Sequence, residues 1–120
     1  MSTVLVIEDN PQNLKLAQLV LAKAGHEVLA AADATAGLAL ARERLPALVV
    51  MDVQMPGLDG LAATRMLRAD PATADIKVLA LTALAMRGDE ERVLAAGCDA
   101  YLAKPFDYRA LIETVGRLLG

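Results

Sequence analysis

Aromatic side chains are almost absent from this chain of 120 residues, which has no tryptophan, one phenylalanine and two tyrosines. A hydrophobic core must therefore consist of aliphatic side chains, and apolar residues make up 56% of the sequence. Cysteine is equally scarce: Cys98 is the only one, so an intrachain disulfide is excluded. This usage is typical of proteins in a reducing compartment.

The sequence also lacks an excess of positive charge and has no long apolar run. The formal net charge is -3 and the pI is about 5.0, which leaves no basic stripe for nucleic acid. The N-terminus has no basic-then-apolar signal segment, and no apolar run approaches the roughly 20 residues of a membrane helix. We expect a cytoplasmic protein whose partners are neither nucleic acid nor membrane.

Short apolar runs alternate with amphipathic stretches along the chain. The runs that predict strands are Thr3–Ile7, His26–Ala31, Leu48–Met51, Lys77–Leu81 and Ala100–Leu102. Helix N-caps are predicted at Asn10, Asp33 and Asp107, and a third helix over about Leu61–Arg68. Several strands are apolar on both faces, which favours a parallel sheet covered by helices on both sides. The sequence thus predicts an α/β fold of strand–helix units in one domain, residues 1–120, with no output domain.

Polar residues follow most of the predicted strands. Glu8 and Asp9 follow the first, Asp52 the third, Thr82 the fourth and Lys104 the fifth. Ligands of open parallel sheets bind beyond the carboxyl ends of the strands, and a strand order of 2-1-3-4-5 would gather these residues in one pocket. Carboxylates about 5 Å apart repel each other by roughly 3 kcal/mol a pair at an effective dielectric near 20. The arrangement therefore indicates a divalent cation, and Mg²⁺ suits a few carboxylates with a carbonyl and water.

This pocket would have the parts for phosphoryl transfer. The Asp52 carboxylate can attack phosphorus as a nucleophile. The Lys104 ammonium, the Thr82 hydroxyl and the Ala83 N–H can hold the phosphoryl oxygens. Positioning and charge stabilisation are most of what this reaction needs. The sequence therefore predicts that Asp52 accepts a phosphoryl group.

The same residues belong to short segments that recur in a fixed order, namely Glu8–Asn10, Met51–Gly57, Asp59–Gly60, Leu81–Ala83 and Lys104–Pro105. Together these segments resemble the receiver domains of bacterial two-component response regulators, and the resemblance covers essentially the whole chain. It implies the flavodoxin-like receiver fold, a five-stranded parallel sheet in the order 2-1-3-4-5 flanked by five helices. It also implies that a histidine kinase or histidine phosphotransfer protein phosphorylates Asp52. Mg²⁺ would be bound by Asp9, Asp52 and the Gln54 carbonyl, with Glu8 acting through water.

The resemblance further implies how a signal leaves the protein. Thr82 and Lys104 would contact the phosphoryl group, and Tyr101 would turn inward as Thr82 moves. The Lys104–Pro105 peptide bond would be cis. The face formed by the fourth helix, fifth strand and fifth helix would then bind a downstream protein, in signalling and not in enzymatic turnover. Leu84 is larger than the residue often found at its position, and we expect it to slow hydrolysis of the acyl phosphate.

A narrower resemblance rests on Met86–Arg92 and Ala96–Tyr101. These segments are similar to those of single-domain receivers of a cell-division type. Similar segments occur in the receivers of hybrid kinases, so a receiver excised from a longer protein is the alternative.

Other classes of function compete with this interpretation. A phosphohydrolase with an aspartyl nucleophile usually needs a second aspartate two residues later, where this chain has Gln54. A flavin or dinucleotide module needs a Gly- or Ser/Thr-rich loop after the first strand, where Glu8–Asn10 would repel a phosphate. A scaffold that is never phosphorylated is disfavoured by the intact acceptor, lysine and threonine.

Overall fold

A computed structural model describes residues 2–83 and 89–120. Its elements, in chain order, are β1 (Thr3–Ile7), α1 (Pro11–Lys23), β2 (Glu27–Ala31), α2 (Ala34–Arg44), β3 (Leu48–Asp52), α3 (Gly60–Ala69), β4 (Lys77–Thr82), α4 (Asp89–Ala95), β5 (Ala100–Ala103) and α5 (Tyr108–Leu119). The strands are parallel and form one sheet in the order β2-β1-β3-β4-β5. The predicted fold class and strand order are confirmed.

Alternate side chains of the strands point into two aliphatic layers, because successive residues of a strand face opposite sides of the sheet. One layer lies beneath α1 and α5 and includes Val6 and Leu111. The other lies beneath α2, α3 and α4 and includes Ile7 and Leu67. The largest fully buried side chains are leucine, isoleucine, methionine and valine, as the scarcity of aromatics predicts.

Side-chain caps fix where the helices begin. The Asn10 side-chain oxygen Oδ1 accepts hydrogen bonds from the N–H groups of Gln12 and Asn13 at 3.0 and 3.1 Å, and α1 starts at the next residue. Asp33 and Asp107 cap α2 and α5, so the predicted caps are confirmed. Asp59 caps α3 as well, and this helix therefore begins at Gly60, one residue before the predicted start. These caps satisfy N–H groups that have no partner inside the helix.

Three of the strands that carry the site extend one residue beyond their predicted ends, whereas β1 ends at Ile7 as predicted. The sequence suggests that β3, β4 and β5 stop at Met51, Leu81 and Leu102, whereas they end at Asp52, Thr82 and Ala103. A polar side chain resembles a strand end in the sequence, but the main-chain pairing continues through it. The side chains of Asp52 and Thr82 are consequently held by the sheet itself and not by a free loop.

Candidate functional site

Three carboxylates meet at the carboxyl ends of β1 and β3. One oxygen each from Glu8, Asp9 and Asp52 lies within 4.8 Å of the other two, and we call these residues the acidic cluster. Glu8 and Asp52 are only 3% and 2% exposed, whereas Asp9 is open to solvent. The sheet positions the buried pair, because the Glu8 N–H donates to the Ala31 carbonyl at 3.1 Å and Asp52 pairs with Leu81. The predicted convergence is thus present in the structure.

Glu8 is the least satisfied member of the acidic cluster. Its Oε1 accepts a hydrogen bond from Asn13 Nδ2 at 3.1 Å, but its buried Oε2 has no partner among the described residues. Burial, and after it the neighbouring Asp52 carboxyl, raises the pKa of Glu8 to about 7. Both causes disfavour the charged form. The role of Asn13 was not predicted. Its signal in the sequence is its place in the first turn after the Asn10 cap, which directs its side chain toward the end of β1.

Lys104 is the cation nearest to the acidic cluster among the described residues. Its Nζ lies 3.2 Å from Asp52 Oδ2 and 3.8 Å from Glu8 Oε1. The Lys104 N–H donates to the Thr82 carbonyl at 2.7 Å, so the pairing of β4 with β5 continues to this residue and delivers its side chain to the site. The Lys104–Pro105 peptide bond is cis, as expected. One ammonium faces three carboxylates, which leaves the cluster with excess negative charge.

This donor set fits a hard divalent cation. Carboxylate oxygens from two adjacent strand ends lie close together, and one buried carboxylate oxygen has no hydrogen bond among the described residues. Mg²⁺ is bound by one or two carboxylates with further oxygen ligands. Gln54, whose carbonyl is the remaining predicted ligand, lies beside the cluster, because its N–H donates to Asp52 Oδ1 at 3.2 Å.

The end of β4 supplies the remaining predicted contacts. Thr82 is the last residue of the strand and is 2% exposed, one position beyond the residue that pairs with Asp52. Ala83 follows at the surface. Its N–H, expected to hold a phosphoryl oxygen, donates here to the Gln54 side-chain oxygen at 3.1 Å. The sequence predicts a role for the Gln54 carbonyl as a metal ligand but does not predict this side-chain contact.

Gly60 allows α3 to approach the acceptor strand closely. A Cβ atom at this position would overlap the Asp52 carbonyl oxygen and lie 2.8 Å from the Val53 Cα. The first residue of α3 must therefore be glycine for the helix to begin directly against Asp52. Gly60 belongs to one of the receiver-like segments, but this structural role was not predicted from the sequence.

Tyr101 lies on β5 and is half-buried. Partial burial, followed by the neighbouring Glu90 carboxylate of α4, raises the pKa of the Tyr101 hydroxyl above its usual value. The ring packs against the aliphatic layer beneath α2, α3 and α4. Leu84, which the sequence analysis connects with the lifetime of the acyl phosphate, lies outside the described residues. Its role and the movement of Tyr101 both stay predictions.

A cavity of about 430 Å³ opens beside the acidic cluster, between α1 and the segment that joins β5 to α5. Phe106 and Tyr108 form part of its wall, with ring centroids 5.7 Å apart and an edge-to-face angle of 67°. Glu8 and Lys104 line its polar end. Two of the few aromatic rings of the chain therefore lie next to the site, where they also pack against the aliphatic layer beneath α1 and α5.

A family model described as the response regulator receiver domain matches residues 4–116. The chain belongs to the response regulator receiver family. Among curated receivers, it is 41% identical over 118 residues to the polar-differentiation response regulator DivK of Brucella anthropi, covering 98% of this chain and 96% of that protein. The DivK of Brucella ovis matches with the same identity and coverage.

Solved receiver structures have the same architecture. The receiver domain of a Pseudomonas aeruginosa sensor histidine kinase, with a magnesium ion coordinated in its active-site cleft, is 36% identical with a TM-score of 0.91. The match covers 99% of this chain and 98% of that one. The chemotaxis protein CheY4 of Vibrio cholerae is 28% identical with a TM-score of 0.93, and the match covers 98% of each chain.

Membership of the family fixes the general chemistry. Receiver domains accept phosphoryl groups from histidine kinases or phosphotransfer proteins, and they bind Mg²⁺ at an acidic cluster. The chain is therefore a receiver of two-component signalling. Within the described ranges, no helix has the length and apolar character that crossing a membrane requires.

Proposed function

We propose that Asp52 is the phosphoacceptor of this receiver. One observation carries the assignment: the Asp52 carboxylate, 2% exposed, lies 3.2 Å from the Lys104 ammonium and within the acidic cluster. A buried carboxylate between a cation and two other carboxylates has little value for stability. Its position at the end of a central strand suits a nucleophile that a partner must reach.

The transfer forms one bond and breaks another. An Asp52 carboxylate oxygen attacks the phosphorus of a phosphohistidine on the kinase or phosphotransfer protein, and the phosphorus–nitrogen bond breaks. The imidazole leaves with the electron pair and takes up a proton from solvent. The Lys104 ammonium, the Thr82 hydroxyl and the Ala83 N–H hold the phosphoryl oxygens as negative charge develops on them. The cavity walled by Phe106 and Tyr108 offers space for a donor side chain beside the acceptor.

Asp9, Asp52 and the Gln54 carbonyl would hold Mg²⁺, with Glu8 acting through water. A bound Mg²⁺ would supply charge neutralisation for the carboxylates and for the incoming phosphoryl group. The partnerless Glu8 Oε2 and the excess of carboxylates over ammonium groups support this ligand set. Gln54 stands where a phosphohydrolase would have its general acid. We therefore infer that the acyl phosphate of Asp52 persists as a signal and does not turn over rapidly.

The output is a change in protein binding. Phosphorylation draws Thr82 toward the new phosphoryl group, and Tyr101 follows into the vacated space. The face formed by α4, β5 and α5 then changes its affinity for a downstream protein, as a population shift biased by one covalent charge. The Glu90 carboxylate beside Tyr101 connects this residue to the start of α4.

We infer that the chain acts as a receiver in cell-division or polarity control in the cytoplasm. Its 41% identity to regulators of polar differentiation, over 98% of its length, supports this role. The family assignment gives no support to the phosphohydrolase and flavin alternatives.

Incubation with acetyl phosphate and Mg²⁺, followed by intact mass measurement and site mapping, tests the assignment. We expect the mass to rise by one phosphoryl group and the modification to map to Asp52. Asp52→Asn should abolish it. Asp59→Asn is the matched control, because Asp59 is an exposed aspartate of the neighbouring loop and asparagine also caps helices. An unmodified wild-type protein, or a modification that survives in Asp52→Asn, would refute the proposal.

A further inference from the structure

Gln54 is hydrogen-bonded to the proposed phosphoacceptor, Asp52, and to the Ala83 N–H, which would bind a phosphoryl oxygen. Its main-chain N–H donates to Asp52 Oδ1 at 3.2 Å, and its side-chain Oε1 accepts from the Ala83 N–H at 3.1 Å. The residue thereby connects the loop after β3 with the loop after β4. Both Gln54 and Ala83 are exposed, so water can replace this side-chain bond when it breaks.

The second of these bonds competes with the reaction. A main-chain N–H directs its single hydrogen at one acceptor, and the proposed function gives the Ala83 N–H to a phosphoryl oxygen. In this structure the amide oxygen of Gln54 holds the same hydrogen. The two acceptors therefore exclude each other at Ala83.

We propose that the Gln54 side chain is a latch that occupies the Ala83 N–H in the unphosphorylated protein and must release it before the phosphoryl group is bound. Gln54 is then a positioning residue that acts through Ala83 and sets how readily Asp52 is modified. This inference rests on the proposed function, because only a phosphoryl group on Asp52 would compete for that hydrogen.

The hydrogen bond that forms the latch is weak, and this limits its effect on the affinity for a phosphoryl mimic. A neutral hydrogen bond at the surface contributes little net free energy, because water replaces it on release. Removing the acceptor should therefore strengthen binding of a phosphoryl mimic by roughly three- to tenfold and not by orders of magnitude.

Binding of beryllofluoride, a phosphoryl mimic, with Mg²⁺ measures the competition. Gln54→Met keeps the length of the side chain but has no amide oxygen, and we expect it to bind beryllofluoride roughly three- to tenfold more tightly than the wild type. Gln12→Met is the matched control, because Gln12 is an exposed glutamine of α1. It should leave the affinity unchanged. Equal or weaker binding by Gln54→Met would overturn the latch, and weaker binding would show that the glutamine assists the phosphoryl group.

A second measurement follows the Ala83 amide itself, in protein without Mg²⁺ or any phosphoryl mimic. In Gln54→Met its proton resonance should move upfield and its hydrogen exchange should accelerate. Gln54→Glu, which retains an acceptor oxygen, should restore slow exchange, whereas a merely structural role of the side chain would not follow the acceptor in this way. An Ala83 amide that is indifferent to these substitutions would refute the latch while leaving phosphorylation of Asp52 intact. A wild-type protein that is never modified at Asp52 would instead remove the proposed function, and the latch with it.

Discussion

Charged side chains are clustered in two regions of the molecule, and the two regions differ in how completely these side chains are paired. The first is the acidic cluster. The second, which we call the Arg68 cluster, consists of Arg68, Asp99 and the main-chain groups that they bind. Arg68 donates to the carbonyl oxygens of Gly97, Ala74 and Ile76, and its Nη2 lies 2.9 Å from Asp99 Oδ2. The same Asp99 oxygen accepts the Val78 N–H at 2.8 Å.

The Arg68 cluster is complete without any ligand. The Arg68 guanidinium joins the end of α3 to the segment before β4 and to the segment before β5. The Asp99 carboxylate balances its charge. The acidic cluster has more carboxylates than ammonium groups and a buried oxygen without a partner among the described residues. A satisfied charged group in a protein indicates a structural role, whereas an unsatisfied one indicates that a partner from outside completes it.

The largest effect on stability should come from breaking the satisfied region. Arg68→Met should lower the free energy of unfolding by about 3 kcal/mol, because three carbonyl oxygens and Asp99 lose a charged donor. Partial solvent exposure limits the loss, since water reaches some of these groups. Chemical denaturation measures it. Arg65→Met is the control: Arg65 is exposed on the same helix and should change stability by about 0.5 kcal/mol or less. Similar values for the two variants would contradict the structural role of the Arg68 cluster.

The pH dependence of stability should expose the acidic cluster. The folded pKa of Glu8, about 7, lies above its ordinary value of 4.5. The folded state therefore binds more protons in this interval, and the free energy of unfolding should fall as pH rises from about 4.5 to 7. We expect a fall of between about 2 and 3 kcal/mol in EDTA.

Glu8→Gln isolates that contribution, because it cannot titrate and keeps an oxygen for Asn13 Nδ2. The fall between about pH 4.5 and 7 should be smaller in this variant by the amount attributed to Glu8. The Ala72 N–H, followed by Arg42, lowers the pKa of the Asp70 carboxyl, so Asp70 contributes a slope of opposite sign at lower pH, outside this window. Parallel stability curves for the wild type and Glu8→Gln would exclude a raised pKa at Glu8.

Much of the fold and of the site could be predicted because it depends on local sequence patterns. The Asn10 and Asp107 caps precede their helices directly, and apolar runs mark each strand. The strand order then determines that Asp9, Asp52 and Lys104 meet, because parallel strands end at one edge of the sheet. Each of these inferences needs only chain order and the regular geometry of strands and helices.

The contacts that escaped prediction join distant side chains across loops. Arg68 reaches Asp99 over 31 positions, and the Gln54 side chain reaches Ala83 over 29. Their partners are fixed by loop conformation and by side-chain direction, neither of which follows from periodicity. The role of Gly60 was not predicted for a similar reason. Where two backbones approach closely, the only signal in the sequence is a residue without a side chain.

Replacing glycine by alanine at Gly60 and at Gly116 should change the free energy of unfolding in opposite directions. Gly60→Ala should destabilise by between about 1 and 2 kcal/mol, because its Cβ would overlap the Asp52 carbonyl oxygen and the backbone must shift. Gly116→Ala, inside α5 with open space around it, should instead stabilise by about 0.5 to 1 kcal/mol. Thermal and chemical melts of both variants measure the difference. A neutral Gly60→Ala would show that α3 does not need to start against the acceptor strand.

The same substitution of aspartate by asparagine should change stability in opposite directions in the acidic cluster and in the Arg68 cluster, although the effect is small. Asp52→Asn should stabilise the protein in EDTA by about 1 kcal/mol, because repulsion from Glu8 and Asp9 outweighs the lost attraction to Lys104. Asparagine keeps an oxygen for the Gln54 N–H, so the hydrogen bond to the loop survives. Asp99→Asn, the same substitution in the Arg68 cluster, should destabilise because it removes the negative charge that balances the Arg68 guanidinium.

Excess Mg²⁺ should reverse the first result and leave the second unchanged, because a ligand stabilises only the folded state that binds it. With Mg²⁺ the wild type should therefore become more stable than Asp52→Asn, while Asp99→Asn stays below the wild type. Chemical melts of the three proteins in EDTA and in Mg²⁺ decide the point. If Asp52→Asn were no more stable than the wild type in EDTA, crowding of like charges could not be the reason that this site needs a cation.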